Sequence, residues 1–170
     1  MRIYSNKIFT VYEGNANFPG GRANKVYSVG YSGAAVVLPL ERGIIVMEYH
    51  YRPVIRKWLY ELPAGRIERG ETPEQCARRE LAEETGMKAG KLLPLFRSYA
   101  TPGYSNEIDY FFEASQLGKA ESKRDAGEVL RLKRVSIGKA LQMVKNGSII
   151  DGKAIQALLY CKEFRCRAEK

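Results

Sequence analysis

The sequence of 170 residues contains no long apolar run and few of the residues that build disulfide or zinc sites. No segment approaches the roughly 18 consecutive apolar residues of a membrane span. The three cysteines, Cys76, Cys161 and Cys166, are odd in number and lack C-x-x-C spacing, so neither a disulfide framework nor a zinc site is indicated. The first residues do not have the charged-then-apolar form of a signal peptide. We therefore expect a cytoplasmic protein.

Histidine and tryptophan each occur once, and no long lysine or arginine tract is present. His50 lies in a β-like segment, and we interpret it as a strand residue rather than a base or a metal ligand. The net charge of +9 favours anionic partners such as nucleotides, phosphates or nucleic acid. Because the basic residues are scattered, the excess fits a small anionic substrate as well as it fits DNA or RNA.

The length is that of one domain with a real core. Alternation and β-branched or aromatic residues predict strands near 2–12, 24–31, 34–40, 43–51, 91–98, 107–114 and 129–135. "GNANFPGGRAN" is a turn-rich connection between the first two. A helix is expected near 73–85 and two amphipathic helices after Ser136. This order predicts an α+β sandwich.

The segment "GETPEQCARRELAEETG", residues 70–86, crowds like charges onto one helix. Thr72 and Gln75 form a capping box, Pro73 suits the first helical position, and Gly86 suits the residue after the helix end. On such a helix Glu80, Glu83 and Glu84 share one face. A solvated acidic face would explain these three residues; so would a site for a hard cation such as Mg²⁺, which prefers oxygen ligands.

A longer pattern around this helix favours the cation site. Gly65 is followed six positions later by Glu71 and, after seven more residues, by "RELAEETGM", residues 79–87. These nine specified positions over 23 residues resemble the Nudix box, G-x5-E-x7-R-E-U-x-E-E-x-G-U, where U is a bulky aliphatic residue. The Nudix family hydrolyses nucleoside diphosphates linked to another group. The resemblance implies an α/β/α sandwich with a mixed sheet and Mg²⁺ or Mn²⁺ as cofactor.

The same resemblance assigns roles to residues of the box. It implies that Glu80, Glu84 and the carbonyl of Ala64 are metal ligands, and that Glu83 is a third ligand or a partner to the metal-bound water. It implies that Arg79 and Glu71 form an internal ion pair. Gly65 and Gly86 are the structural glycines of the motif.

The flanks of the box resemble the ADP-ribose pyrophosphatase subfamily. "ELPAG" and "SYATPGYSNE" are similar to its E-[LF]-P-A-G and S-P-G-x-S-N-E segments, although Thr101 replaces a serine. "EYHYRPV" resembles its Q-[YF]-R-x-P segment, with His50 in place of glutamine. The resemblance implies that Arg52 approaches the substrate's phosphates and that Glu107 positions the substrate or its loop.

Segments outside the box nominate the general base and the aromatic side chains on which adenine would stack. "AESKRDAGEVLRL" nominates Glu128 as the base, with Asp125 and Glu121 behind it, while a solvated loop acid is the alternative. In the subfamily the N-terminal strands commonly cross to a partner and supply an aromatic platform. This implies a homodimer, an N-terminal antiparallel extension at 1–32, a Nudix domain at 33–170, and Tyr27 and Phe18 as platform residues.

We thus expect hydrolysis of ADP-ribose to AMP and ribose 5-phosphate. One alternative is a Nudix hydrolase of another nucleoside diphosphate derivative, such as a nucleotide sugar, NADH, FAD or an oxidised nucleotide. A more distant one is a non-catalytic Nudix module that binds ADP-ribose or RNA. Such modules usually lose box glutamates, and this sequence keeps them all, so we do not expect a nucleic-acid partner.

Overall fold

The strands form two separate sheets in the computed structural model, which describes residues 1–121 and 129–165. The first sheet is a three-stranded antiparallel ribbon, in the order β1 (Arg2–Ser5), β2 (Thr10–Asn17) and β3 (Ala23–Gly30). The second is seven-stranded, with the order β10-β5-β4-β9-β8 and with β6 on β5 and β7 on β4. Its strands are β4 (Ala34–Glu41), β5 (Ile44–Arg52), β6 (Lys57–Glu61), β7 (Ala64–Arg66), β8 (Met87–Tyr99), β9 (Ile108–Lys119) and β10 (Leu130–Ser136).

The large sheet is mixed because β4 runs parallel to β9 while its other pairings are antiparallel. β4 is apolar on both faces, and its residues Ala35 to Leu38 are completely buried. A strand buried on both sides reads as a continuous apolar run. This central strand therefore needs a cover on each face.

Helices supply both covers. Helix α1 (Pro73–Thr85) packs Cys76, Ala77 and Leu81 against one face, with Ala35 and Val37 of β4. Helices α2 (Ile137–Lys145) and α3 (Gly152–Tyr160) cover the opposite face, and a π-helical turn at Cys161–Arg165 extends α3. The expected three-layer α/β/α arrangement is confirmed.

Helix α1 begins and ends where its local sequence predicts. The Thr72 side chain accepts from the N–H of Gln75, and the Gln75 side chain accepts from the N–H of Thr72. Gly86 closes the helix in the left-handed conformation at φ 68°. Both ends rest on local hydrogen bonds, which is why a short sequence window was sufficient.

The N-terminal segment differs from expectation. The single strand expected at 2–12 is two strands, because the Asn6 side chain accepts from the N–H groups of Ile8 and Phe9 and turns the chain. The supposed connection 14–24 is mostly strand, and only the tight Phe18–Arg22 turn interrupts it. The prediction also missed β6 and β7. No helix in the described ranges is long and apolar enough to cross a membrane.

The candidate active site

Two glutamates of α1, Glu80 and Glu84, lie buried against β7. Glu80 is 9% exposed and Glu84 is 5% exposed. The Ala64 N–H donates to Oε2 of Glu84 at 2.9 Å. This contact joins the middle layer of the sandwich to α1, so it fixes the Glu84 carboxylate relative to β7 rather than leaving it to solvent.

Gly65 leaves room for the second of these carboxylates. A Cβ built at position 65 would lie 1.8 Å from Oε1 of Glu80 and 2.0 Å from its Cδ. Any larger residue must push this carboxylate away. The glycine therefore serves close approach, since its φ is not in the left-handed region.

Arg79 connects the helix, its preceding loop and the glutamates. Its guanidinium donates from Nε to Oε1 of Glu71 at 2.9 Å and from Nη2 to Oε2 of Glu71 at 3.0 Å. Nη2 also donates to the carbonyl of Arg66 at 3.1 Å. Nη1 donates to Oε1 of Glu80 at 2.5 Å and to Oε2 of Glu83 at 3.1 Å. One side chain thus holds three carboxylates together.

Charge and burial set the protonation of this cluster. The hydrogen bonds from Arg79 hold the pKa of Glu71 below its ordinary value, and those carboxylates in turn raise the pKa of Arg79. Burial raises the pKa of the neighbouring Cys76 thiol to about 12. Because a thiol is a nucleophile only as the thiolate, Cys76 is a packing residue beside the cluster.

The donor set fits a hard divalent cation, although the side chains are not gathered around one point. In residues 1–121 and 129–165, no group of three or more His, Cys, Asp or Glu side chains is arranged to hold a metal. The reason is visible in the contacts, since Arg79 holds Glu80 and Glu83 while Ala64 holds Glu84. Buried carboxylates and a nearby backbone are nonetheless the oxygen donors that Mg²⁺ takes, often only one or two per ion.

A pocket of about 580 Å³ opens beside Ala64 and Gly65. Its volume is within the usual range for small-molecule sites. The charged residues that line it are Arg52, Glu61, Arg66, Glu107, Asp151 and Lys153. A cavity of about 850 Å³ lies at the other end of the sheet, beside the Glu41–Ile44 turn. The smaller pocket is the candidate substrate site because it adjoins the buried glutamates.

Arg52 lies in this pocket, but it already has a carboxylate partner. Its Nε and Nη2 donate to both oxygens of Glu61 at 2.5 to 3.1 Å. Glu61 is 5% exposed and belongs to the ELPAG segment. The pair fixes the guanidinium at the mouth, where only part of it remains for a ligand.

The remaining predicted residues do not all lie at the pocket. Glu107 lines the pocket. Tyr27 and Phe18 lie on the N-terminal ribbon, 57% and 45% exposed, and neither lines the pocket of its own chain. Glu128 and Asp125 are outside the described residues. Glu121 is exposed after the end of β9.

Three residues that line the pocket, Glu61, Asp151 and Lys153, were not predicted from the sequence. Glu61 had a usable signal, since it stands inside the ELPAG segment that was already compared with relatives. Asp151 and Lys153 had none, because "DGK" reads simply as the start of an amphipathic helix. Only the packing of α3 on the sheet brings them to the pocket.

Comparison with known proteins finds one family and several relatives. The NUDIX domain model matches residues 31–158. The chain is 36% identical over 162 residues to an ADP-ribose pyrophosphatase of Bacillus subtilis (strain 168), covering 94% of this chain and 88% of that protein. It is 32% identical to a methanol dehydrogenase activator of Bacillus methanolicus, with the same coverage. It is 30% identical to a GDP-mannose pyrophosphatase of Enterobacter sp. (strain 638), covering 80% and 75%.

A solved structure is similar over nearly the whole chain. The crystal structure of an ADP compounds hydrolase superposes with a TM-score of 0.86 at 19% identity, covering 99% of this chain and 92% of that one. At this identity the likeness concerns the fold alone. It extends the agreement beyond the residues of the glutamate motif to the complete arrangement of strands and helices.

Proposed function

This chain belongs to the Nudix family, and on that premise we propose that it hydrolyses the pyrophosphate bond of ADP-ribose to AMP and ribose 5-phosphate, with Mg²⁺ or Mn²⁺ as cofactor. The observation that carries the proposal is the pair of buried carboxylates, Glu80 and Glu84, beside a pocket that adjoins Ala64 and Gly65. The 36% identity to an ADP-ribose pyrophosphatase over 94% of the chain supports the choice of substrate.

The cation would be held by Glu80, Glu84 and the carbonyl of Ala64, with Glu83 as a further ligand or proton acceptor. A bound divalent cation neutralises charge on the diphosphate and stabilises the charge that develops in the transition state. The residues of the chain prepare its site. Ala64 orients Glu84 through its N–H, and Gly65 leaves space for Glu80.

Other side chains would manage the proton and the substrate. Glu83 is the most exposed of the three box carboxylates, with 36% of its side chain accessible, so it is placed to accept a proton from water. Glu128 is the second candidate for that role. Nη1 of Arg52 is free of the bonds to Glu61, and a guanidinium suits phosphate oxygens. Pairing with Glu61 keeps this group oriented before substrate arrives.

A substrate panel tests this proposal. ADP-ribose, GDP-mannose, NADH, FAD and an oxidised nucleoside triphosphate are each assayed by chromatographic separation of the nucleotide products in Mg²⁺, in Mn²⁺ and after chelation. We expect ADP-ribose to be among the best substrates by kcat/KM and chelation to abolish turnover. If ADP-ribose ranks well below the others, the assignment of substrate is wrong.

A nucleotide sugar is the second candidate substrate. The observation that favours it is the 30% identity to a GDP-mannose pyrophosphatase. The panel separates the two, since a GDP-mannose enzyme would prefer guanine and mannose over adenine and ribose.

Strong, salt-sensitive RNA binding with no hydrolysis in any metal would instead favour a binding module. A cytoplasmic enzyme without a nucleic-acid partner remains our proposal.

We further propose that residues 1–32 form a homodimer interface. The ribbon exposes apolar and aromatic side chains that a lone subunit would leave in water: Ile3, Tyr4, Ile8, Tyr12, Phe18 and Tyr27. Contiguous exposed apolar residues commonly mark an interface. Its contacts with the rest of its own chain include hydrogen bonds from Val29 to Tyr104 and from Arg66 to Lys7.

Mixing two variants tests both the dimer and the aromatic platform. Glu84→Gln removes a proposed metal ligand, and Tyr27→Ala removes a proposed platform that would serve the partner's site. Each alone should be slow, and activity should reappear when the two are unfolded and refolded together. A mixture no faster than the average of its parts, or a monomer in sedimentation, would contradict the proposed exchange.

A further inference from the structure

Asp109 is a buried carboxylate that the proposed chemistry leaves unexplained. It is 1% exposed, and its Oδ1 has no hydrogen-bond partner among the described residues. Burying such a group without a partner is costly. Aromatic residues follow it along β9, at Tyr110, Phe111 and Phe112. A buried polar atom of this kind calls for a functional explanation.

The strand register fixes the direction in which Asp109 points. Side chains two apart on a strand share a face, so Asp109 lies on the same face as Phe111. Phe111 packs in the cluster that contains Ala154, Ala157 and Leu158 of α3. Asp109 therefore faces the α3 layer, at the end of β9 where the chain enters the large sheet. The first turn of α3 lies over this end.

The start of α3 carries two charged groups, Asp151 and Lys153, that act electrostatically on Asp109. Asp151 caps α3 by accepting from the N–H of Ala154 at 2.8 Å. Lys153 follows it and lines the same pocket as Glu107. Burial raises the pKa of Glu107, Asp109 and Asp151, and the positive charge of Lys153 opposes the rise in each. Three carboxyl groups from two layers thus interact electrostatically with one lysine.

The charge of Lys153 interacts with all three carboxyl groups without pairing with one of them. Within residues 1–121 and 129–165 it forms neither an ion pair nor a side-chain hydrogen bond. The other cations of the pocket already have partners for part of their guanidinium groups, since Arg52 donates to Glu61 through Nε and Nη2 and Arg66 donates to the Lys7 carbonyl at 2.6 Å. The ammonium of Lys153 is therefore available to a bound ligand.

The charge balance decides which part of a substrate fits there. A further phosphate at this end would face the carboxyl groups of Glu107 and Asp151, with Asp109 buried nearby, against one ammonium, so repulsion disfavours it. A sugar is neutral and presents several hydroxyl groups. Carboxylates accept hydrogen bonds from hydroxyls, and an ammonium donates to them. The α3 end of the pocket is thus complementary to a sugar, while the box glutamates and Arg52 lie toward the diphosphate.

We propose that Lys153, Glu107 and Asp151 form a subsite for the hydroxyl groups of the terminal sugar, and that Asp109 is a positioning residue that holds the Lys153 ammonium toward it. This rests on the proposed function and sharpens it, because it restricts the second half of the diphosphate substrate to a sugar. A site built to bind a hydroxyl strongly rejects the analogue that lacks it. The same subsite would disfavour nucleoside triphosphates.

The test compares wild type and variants on substrates with and without the hydroxyl groups of the terminal sugar. ADP-ribose is compared with an analogue whose terminal ring lacks its 2- and 3-hydroxyls, using the full chain in Mg²⁺. A hydrogen bond to a charged group corresponds to roughly 10- to 100-fold in kcat/KM. The wild type should lose about that factor on the analogue. Lys153→Met should lower kcat/KM for ADP-ribose by the same factor. For the analogue, kcat/KM of Lys153→Met should be close to that of the wild type. Lys153→Arg should recover part of the kcat/KM for ADP-ribose.

Product inhibition locates the effect in the sugar half. In Lys153→Met the inhibition constant of ribose 5-phosphate should rise, and that of AMP should not change. Asp109→Asn should raise KM for ADP-ribose several-fold while kcat holds, with no change in KM for the analogue. Lys145→Met, on the exposed last turn of α2, is the matched control and should behave as wild type.

Two results would overturn the subsite. Equal losses on both substrates in Lys153→Met would assign the lysine to phosphate binding or to structure. An unchanged wild-type rate on the analogue would show that the hydroxyls are not recognised. Failure of the proposed function looks different, because the wild type would then leave ADP-ribose intact. Lys153→Met is in that case measured with GDP-mannose, and an unchanged rate there overturns the subsite as well.

Discussion

Replacing Glu84 with glutamine should lower kcat by about 100- to 1,000-fold, the order seen when a charge-stabilising group is removed, without unfolding the protein. Glutamine has the same shape, and its amide oxygen can still accept from the Ala64 N–H, as the carboxylate does at 2.9 Å. What it loses is the negative charge that a divalent cation requires. The measurements are steady-state kinetics with ADP-ribose and thermal unfolding.

Glu74→Gln is the matched control on the same helix. Glu74 is exposed and pairs with Arg78 at 3.0 Å, and exposed pairs of this kind contribute at most about 1 kcal/mol. This variant should keep its activity. Metal binding gives a second readout, since Mn²⁺ titrated by electron paramagnetic resonance should bind the Glu84 variant more weakly than wild type. Normal turnover by the Glu84 variant would show that Glu84 is not a metal ligand.

Replacing Arg79 with methionine should destabilise the fold by about 2–3 kcal/mol, because it leaves carboxylates without their charged partner. Arg79 is the donor to Glu71, Glu80 and Glu83, and its side chain is 26% exposed. Arg79→Lys should recover little, since an ammonium cannot form the two-pronged contact with Glu71. Chemical denaturation of each variant measures the loss.

The pH dependence gives this prediction a sign. Arg79 keeps the pKa of Glu71 below its ordinary value of 4.5, so the contribution of the pair is present above pH 4.5 and is lost as the pH falls through the lowered folded value. The difference in unfolding free energy between wild type and Arg79→Met should therefore shrink below pH 4.5. Arg78→Met, which removes the exposed pair with Glu74 and the hydrogen bond from Nη1 to the Ala89 carbonyl, should change stability by about 1 kcal/mol.

Added divalent cation should restore part of the stability that Arg79→Met loses. With Arg79 gone, Glu80 and Glu83 lose the guanidinium that neutralises them and repel one another. A cation that binds these carboxylates in the folded state then stabilises it by mass action. Added Mg²⁺ should then raise the melting temperature of Arg79→Met more than that of wild type. An equal shift in both proteins would mean that Arg79 and the cation do not compete for the same carboxylates.

Local chemistry made the box and its helix readable from the sequence. The limits of α1 depend on Thr72, Gln75 and Gly86, each of which acts within a few residues of itself. The sequence could not show that Arg79 would bind Glu80 and Glu83 as well as Glu71, since that depends on side-chain conformations. Nor could it show the break at Asn6, where one side chain turns a segment whose alternation reads as continuous strand.

The sequence by itself determined the family and the type of site, because the spacing from Gly65 to Met87 places its glutamates on one face of one helix whatever the rest of the chain does. The tertiary structure alone decided what surrounds them. Arg52 binds Glu61 across neighbouring strands, and the charge of Lys153 on α3 acts on Asp109 of β9. Contacts between residues so far apart in the chain follow from sheet register and helix packing, which no short stretch of sequence encodes.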